Sequence, residues 1–67
     1  MTRPRFHRLA IAQQERILDA ALREFAAHGF GDASLNRIIA AAGISKGSMY
    51  YYFDDKEDLY ADLIRDR

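Results

Sequence analysis

The sequence predicts an all-α domain: a three-helix bundle built around a helix-turn-helix, followed by the start of a fourth helix. Three observations carry that expectation. Apolar residues recur at three- and four-residue spacing in four separate stretches. Small polar residues suited to capping a helix stand at the head of three of them, and glycines fall where two of them stop. The chain has 67 residues, room for one domain and no second one. A domain near that size buries only roughly 60% of the surface its unfolded chain exposes, so its core is small.

The elements follow in order. Residues 1–10 read as a flexible basic arm, because Pro4 and the interspersed Arg3, Arg5 and Arg8 argue against a helix there. Residues 11–67 read as the folded domain. From about Ala12 to His28, Ile17, Ala21 and Phe25 fall four apart with Leu18 and Leu22 beside them. Glu15, Arg16, Asp19, Arg23 and Glu24 take the opposite face. Gly29 then offers the left-handed residue that ends a helix, and Phe30 the hydrophobic contact after it. Ser34 can cap a second, short helix whose stripe is Leu35, Ile38, Ile39 and Ala42, and Gly43 stops it. Ser45 caps a third. Its Tyr50-Tyr51-Tyr52-Phe53 run has strand propensity by itself, but Met49 and Phe53 fall four apart behind the cap. Asp54-Asp55 opens a fourth helix, with Asp58 adding acid at its positive end and Leu59, Tyr60, Leu63 and Ile64 as its stripe.

Composition narrows the function. There is no cysteine, hence no disulfide framework and no thiolate metal site. His7 and His28 lie far apart with no thiol or acid clustered beside them, so neither a metal nor another cofactor is expected. No apolar run approaches the ~20 residues of a membrane span. The run Leu9-Ala10-Ile11-Ala12 is too short for a secretory core, so the chain reads as cytoplasmic. Formal net charge is zero, but unevenly spread. Residues 1–8 carry three Arg and no acid, and residues 33–53 carry Arg37 and Lys46 and no acid. A local positive face can bind phosphate on a neutral chain.

Two short helices joined through Gly43 have the layout of a DNA-binding helix-turn-helix, the first bracing the backbone and the second entering the major groove. Gly43 tolerates the positive φ of the turn, Ile44 can plug the angle between the helices, and small Ala42 lets them approach.

The run Ile38-x-x-x-Ala42-Gly43-Ile44-Ser45-Lys46-Gly47-Ser48-Met49-Tyr50-x-Tyr52-Phe53-x-x-Lys56-Glu57-x-Leu59 closely resembles the N-terminal signature of TetR-type transcriptional repressors. Upstream, Arg16-Ile17-Leu18-x-Ala20-Ala21-x-x-x-Phe25-x-x-x-Gly29 resembles their first helix, so that the likeness spans about residues 13–64. The resemblance implies a homeodomain-like three-helix bundle and sequence-specific binding of double-stranded DNA by the reader domain of a regulator, a repressor by that likeness. It assigns phosphate contacts to Ser34, Ser48, Tyr50 and Lys56, and base-edge positions to Asn36, Lys46 and Tyr51. Gly47 would let the backbone approach the DNA closely, and Tyr52 and Phe53 would pack inside. Ser45 is a cap alone, and Arg37 is open between capping and phosphate contact. Arg3, Arg5 and Arg8 either reach a groove or phosphates, or form a solvated tail. The family has a small residue where this chain has Ile39, at the helix crossing.

The resemblance further implies a pseudo-palindromic operator, a homodimer, and a small-molecule effector held by a long C-terminal helical domain. None of that domain follows Arg67, so the sequence reads as a truncated piece, with an apolar stripe on its fourth helix left for an interface. The competing reading is a helical interaction module in which the helix-turn-helix is scaffold and the fourth helix docks a partner. An enzyme has no support: no nucleophile sits with a base, and there is no glycine-rich phosphate loop.

Overall fold

Caps and apolar spacing place each element. The computed structural model describes residues 4–65, and these form helices α1 Pro4–His7, α2 Ile11–Asp32, α3 Leu35–Ala42, α4 Lys46–Tyr52 and α5 Lys56–Arg65. The described residues contain no strand, so the all-α expectation holds. The long α2 is the spine, with α3 and α5 packed on it, α4 against α3, and α1 against α4.

One core joins them. Ile17, Leu18, Ala21 and Phe25 enter it from α2, and Ile38, Ile39 and Ala42 from α3. Met49 and Phe53 enter from α4 and the residue after it, and Leu59 and Leu63 from α5. Full burial of one such large side chain contributes about 1.5–3 kcal/mol. Ile39, large for its place at the helix crossing, is simply part of this core.

Two positions on α2 depart from the expected stripe: Leu22 is 49% exposed and Glu24 is buried. Helix geometry explains both. At about 100° per residue, position 24 lies only about 20° from the direction of Ile17, whereas position 22 lies about 140° away. The regular helix breaks where expected, after His28, and a short further turn continues α2 to Asp32. Gly29 leaves helical geometry at φ 74° and ψ 166°, a region open essentially to glycine. One more turn follows before the Ala33 N–H donates to the Gly29 carbonyl at 3.0 Å. Phe30 folds back on Phe25, ring to ring at 5.9 Å.

The turn between α3 and α4 is a complete Schellman motif. Gly43 adopts φ 71° and ψ 31°, its N–H donates to the Ala40 carbonyl at 3.2 Å, and the Ile44 N–H donates to Ile39 at 3.3 Å. Ile44 then packs against the core, as its place after the turn requires.

The largest correction concerns the N-terminal segment. Residues 4–7, expected as irregular arm, form a helical turn. Proline is tolerated in the first turn, where its missing N–H would go unused. Phe6 is fully buried, its ring 4.8 Å from that of Phe53 and 6.0 Å from that of Tyr52. Gln14 on α2 fastens the segment by donating to the carbonyls of Leu9 at 2.8 Å and His7 at 3.2 Å.

Candidate nucleic-acid interface

The site begins with what sets α3. Ser34 caps it, its hydroxyl accepting the Arg37 N–H at 3.3 Å. One carboxylate oxygen of buried Glu24 accepts both the Ser34 backbone N–H at 2.9 Å and Arg37 Nε at 2.7 Å. Arg37 also donates to the Asp32 carbonyl at 3.1 Å. The Ser34 backbone bond, together with the Arg37 bond and charge and the His28 ring at 3.8 Å, holds the Glu24 carboxyl below its ordinary pKa against the opposing effect of burial. Arg37 is therefore engaged in tying α3 to α2.

Next comes α4. Ser45 caps it by accepting the Ser48 N–H at 3.0 Å, and its hydroxyl donates to Ser48 Oγ at 2.9 Å. Met49 and Phe53 are sealed in the core, and Tyr52 is half-buried. Other residues of α4 point out: Lys46 and Gly47 are exposed, Tyr50 is 43% exposed and Tyr51 53%. Asn36 on α3 is exposed as well. A Cβ built on Gly47 would meet nothing nearer than Ser45 Oγ at 4.0 Å, so packing within the chain does not require glycine there.

Lys56 opens α5, behind an Asp55 carboxylate that accepts the Asp58 N–H at 2.8 Å. Asp58 in turn accepts the Asp54 N–H at 3.0 Å, a variation on the capping box. Lys56 Nζ donates to the carbonyls of Gly31 and Ala33, each at 3.2 Å, and lies 4.7 Å from the centre of the Phe30 ring. The ammonium is thus pinned beside the start of α3, next to Ser34, with a third N–H beyond those two bonds.

The arm divides. Arg3 lies outside the described residues. Arg8 is exposed, and Arg5 sets its guanidinium carbon 4.1 Å from the centre of the Tyr51 ring. His7 Nε2 stands 3.7 Å from a carboxylate oxygen of Asp62, which is 1% exposed and also lies 3.5 Å from Arg65. The sequence reading missed Glu24, Phe6 and Asp62. Only Glu24 had a usable signal, its helical register with Ile17. Between α2 and α5, Leu22, Phe25, Phe30, Tyr60, Leu63 and Ile64 line an open apolar groove of about 380 Å³. Among the described residues, no group of three His, Cys, Asp or Glu could hold a metal ion, and no helix is long and apolar enough to cross a membrane.

Capped short helices, a Schellman turn and an outward row of lysine, glycine and tyrosines define a helix-turn-helix domain. Residues 17–63 match the bacterial regulatory proteins of the tetR family, and this chain belongs to that family. It is 41% identical over 56 residues to the HTH-type transcriptional regulator YdgC of Bacillus subtilis, a match covering 84% of this chain and 29% of that protein. It is 40% identical over 53 residues to the HTH-type transcriptional repressor AcnR of Corynebacterium glutamicum, covering 79% and 28%. A crystal structure of a TetR family transcriptional regulator from Chloroflexus aurantiacus superposes with a TM-score of 0.87 at 43% identity, covering 97% of this chain and 30% of that one. The chain therefore spans less than a third of the length of these relatives.

Proposed function

We propose that the chain is the reader domain of a transcriptional regulator, binds double-stranded DNA in a sequence-specific way, and serves repression. The observation that carries this reading is the face of α4. Lys46, Gly47, Tyr50 and Tyr51 stand outward on a helix whose other side is sealed, in a segment from 33 to 53 free of acid. In this reading α4 lies in the major groove. Ser34, Ser48, Tyr50 and Lys56 hold phosphates, Asn36, Lys46 and Tyr51 face base edges, and Gly47 lets the backbone come close. The pinned Lys56 ammonium supports its own assignment. Relatives named as repressors support the regulatory role. We assign the homodimer, its pseudo-palindromic operator and a small-molecule effector to the full-length protein, in keeping with the much greater length of the relatives.

Fluorescence anisotropy with duplex DNA at several salt concentrations tests this. Each neutralised phosphate contributes about −0.9 to the slope of log affinity against log salt. Binding with a slope of several units is expected, measured from low salt because one reader domain is half of a dimeric grip. Lys56→Ala weakens all duplexes alike and lowers the slope by about 0.9, Tyr50→Phe weakens them alike with the slope unchanged, and Asn36→Ala or Lys46→Ala alters base preference. No binding at low salt overturns the proposal. It would leave the helical interaction module, for which the groove beside Leu22 and Ile64 is the relevant surface.

A further inference from the structure

The seat of α1 has a consequence for base reading. Phe6 is fully buried against Phe53 and Tyr52, and Gln14 locks the carbonyls that follow it. With Phe6 fixed, the residue before it has little freedom, and Arg5 comes to rest 4.1 Å from the centre of the Tyr51 ring. Tyr52 meets the same ring edge-on, centroids 5.4 Å apart at 73°. Tyr51 is thus flanked by a guanidinium and a second aromatic, although it projects from α4 and is 53% exposed.

From this geometry we infer that Arg5 is a specificity-determining positioning residue that acts through Tyr51. An exposed tyrosine on a helix samples several rotamers, and a ring that reads a base edge discriminates only in the rotamer that meets it. The cation holds the ring face by electrostatic attraction, and arginine stays charged at every working pH. Arg5 thereby belongs to the recognition surface of α4, not to a tail seeking a separate groove. Its role rests on the DNA-binding reading and refines it, because it names what orients one of the base-facing residues.

The test compares the parent chain with Arg5→Gln, Arg5→Lys, Tyr51→Ala and the Arg5→Gln/Tyr51→Ala double substitution. In the free chain, the Arg5 side-chain protons should show an upfield ring-current NMR shift that Tyr51→Ala abolishes. Sites are then selected from a random-sequence duplex pool at low salt. Arg5→Gln should relax discrimination about two- to fivefold at the base pairs that Tyr51→Ala also relaxes, as the strength of an exposed cation–π contact implies. The double substitution should add nothing further, and Arg5→Lys should restore part of the preference. The salt slope on one fixed duplex should not change. A uniform loss of affinity with the slope reduced by about 0.9 would make Arg5 a direct phosphate contact and overturn the inference. Unchanged preference in Arg5→Gln, or effects that add in the double substitution, would also overturn it while the parent still binds DNA. Failure of the parent to bind any duplex overturns the DNA reading itself, and this role with it.

Discussion

Glu24 is the side chain on which the position of α3 depends. It is the one acid on α2 that faces inward, and a single oxygen gathers the first backbone N–H of the cap and the Arg37 side chain. Removing its charge weakens three attachments at once: the Ser34 N–H, Arg37 and the nearby His28 ring. The pH dependence follows from the direction of its pKa. A carboxyl lowered on folding stabilises the fold above its unfolded value, about 4.3 for glutamate, and loses that contribution as pH falls through the folded value. Glu24→Gln should therefore lower the urea midpoint at pH 7. The gap between parent and variant should close as pH drops below about 4.3. Urea titrations followed by circular dichroism across pH 3 to 7 check this; a gap that stays constant with pH would show that the charge is not what holds α3.

At the scale of the element, α4 is seven residues long and would not persist alone. Its start is set by the Ser45 cap just past the Schellman turn at Gly43, its end by Phe53, whose N–H donates to the Met49 carbonyl, and its buried side by Met49 and Phe53. The two glycines near its start differ in kind. Gly43 needs its left-handed φ of 71°, whereas Gly47 sits in ordinary helix with open space around it. Gly47→Ala should accordingly raise the stability of the chain, by up to about 1 kcal/mol, because alanine is the better helix former. If Gly47 is the point of close backbone approach, the same substitution should weaken duplex binding despite the firmer fold. Thermal melting and anisotropy on one preparation separate the two effects. Greater stability with unchanged affinity would remove Gly47 from the interface.

For the whole molecule, local signals made most of the fold legible, and long-range ones hid the rest. The caps Ser34, Ser45 and Asp55, the stop at Gly43 and the stripes of α3 and α5 all act within one or two turns, so spacing revealed them, whereas the tyrosine run of α4 read as helix partly through the family resemblance. The docking of α1 depends on Phe6 meeting Phe53, and the pinning of Lys56 on carbonyls of Gly31 and Ala33. Those contacts join positions more than twenty residues apart and leave no periodic trace. The same distinction bears on the groove between α2 and α5. Leu22 and Ile64 carry the helical pattern of core residues, yet they are 49% and 60% exposed, whereas Leu59 beside them is fully buried. Their hydrophobicity thus contributes little to the stability of this chain. Leu22→Gln with Ile64→Gln should shift its unfolding free energy by no more than about 0.5 kcal/mol each. Leu59→Ala should cost about 2–5 kcal/mol, since it empties a packed site. Chemical denaturation of the three proteins reads this directly. A large loss in the double glutamine variant would mean that the groove is closed in solution and that Leu22 and Ile64 belong to the core after all.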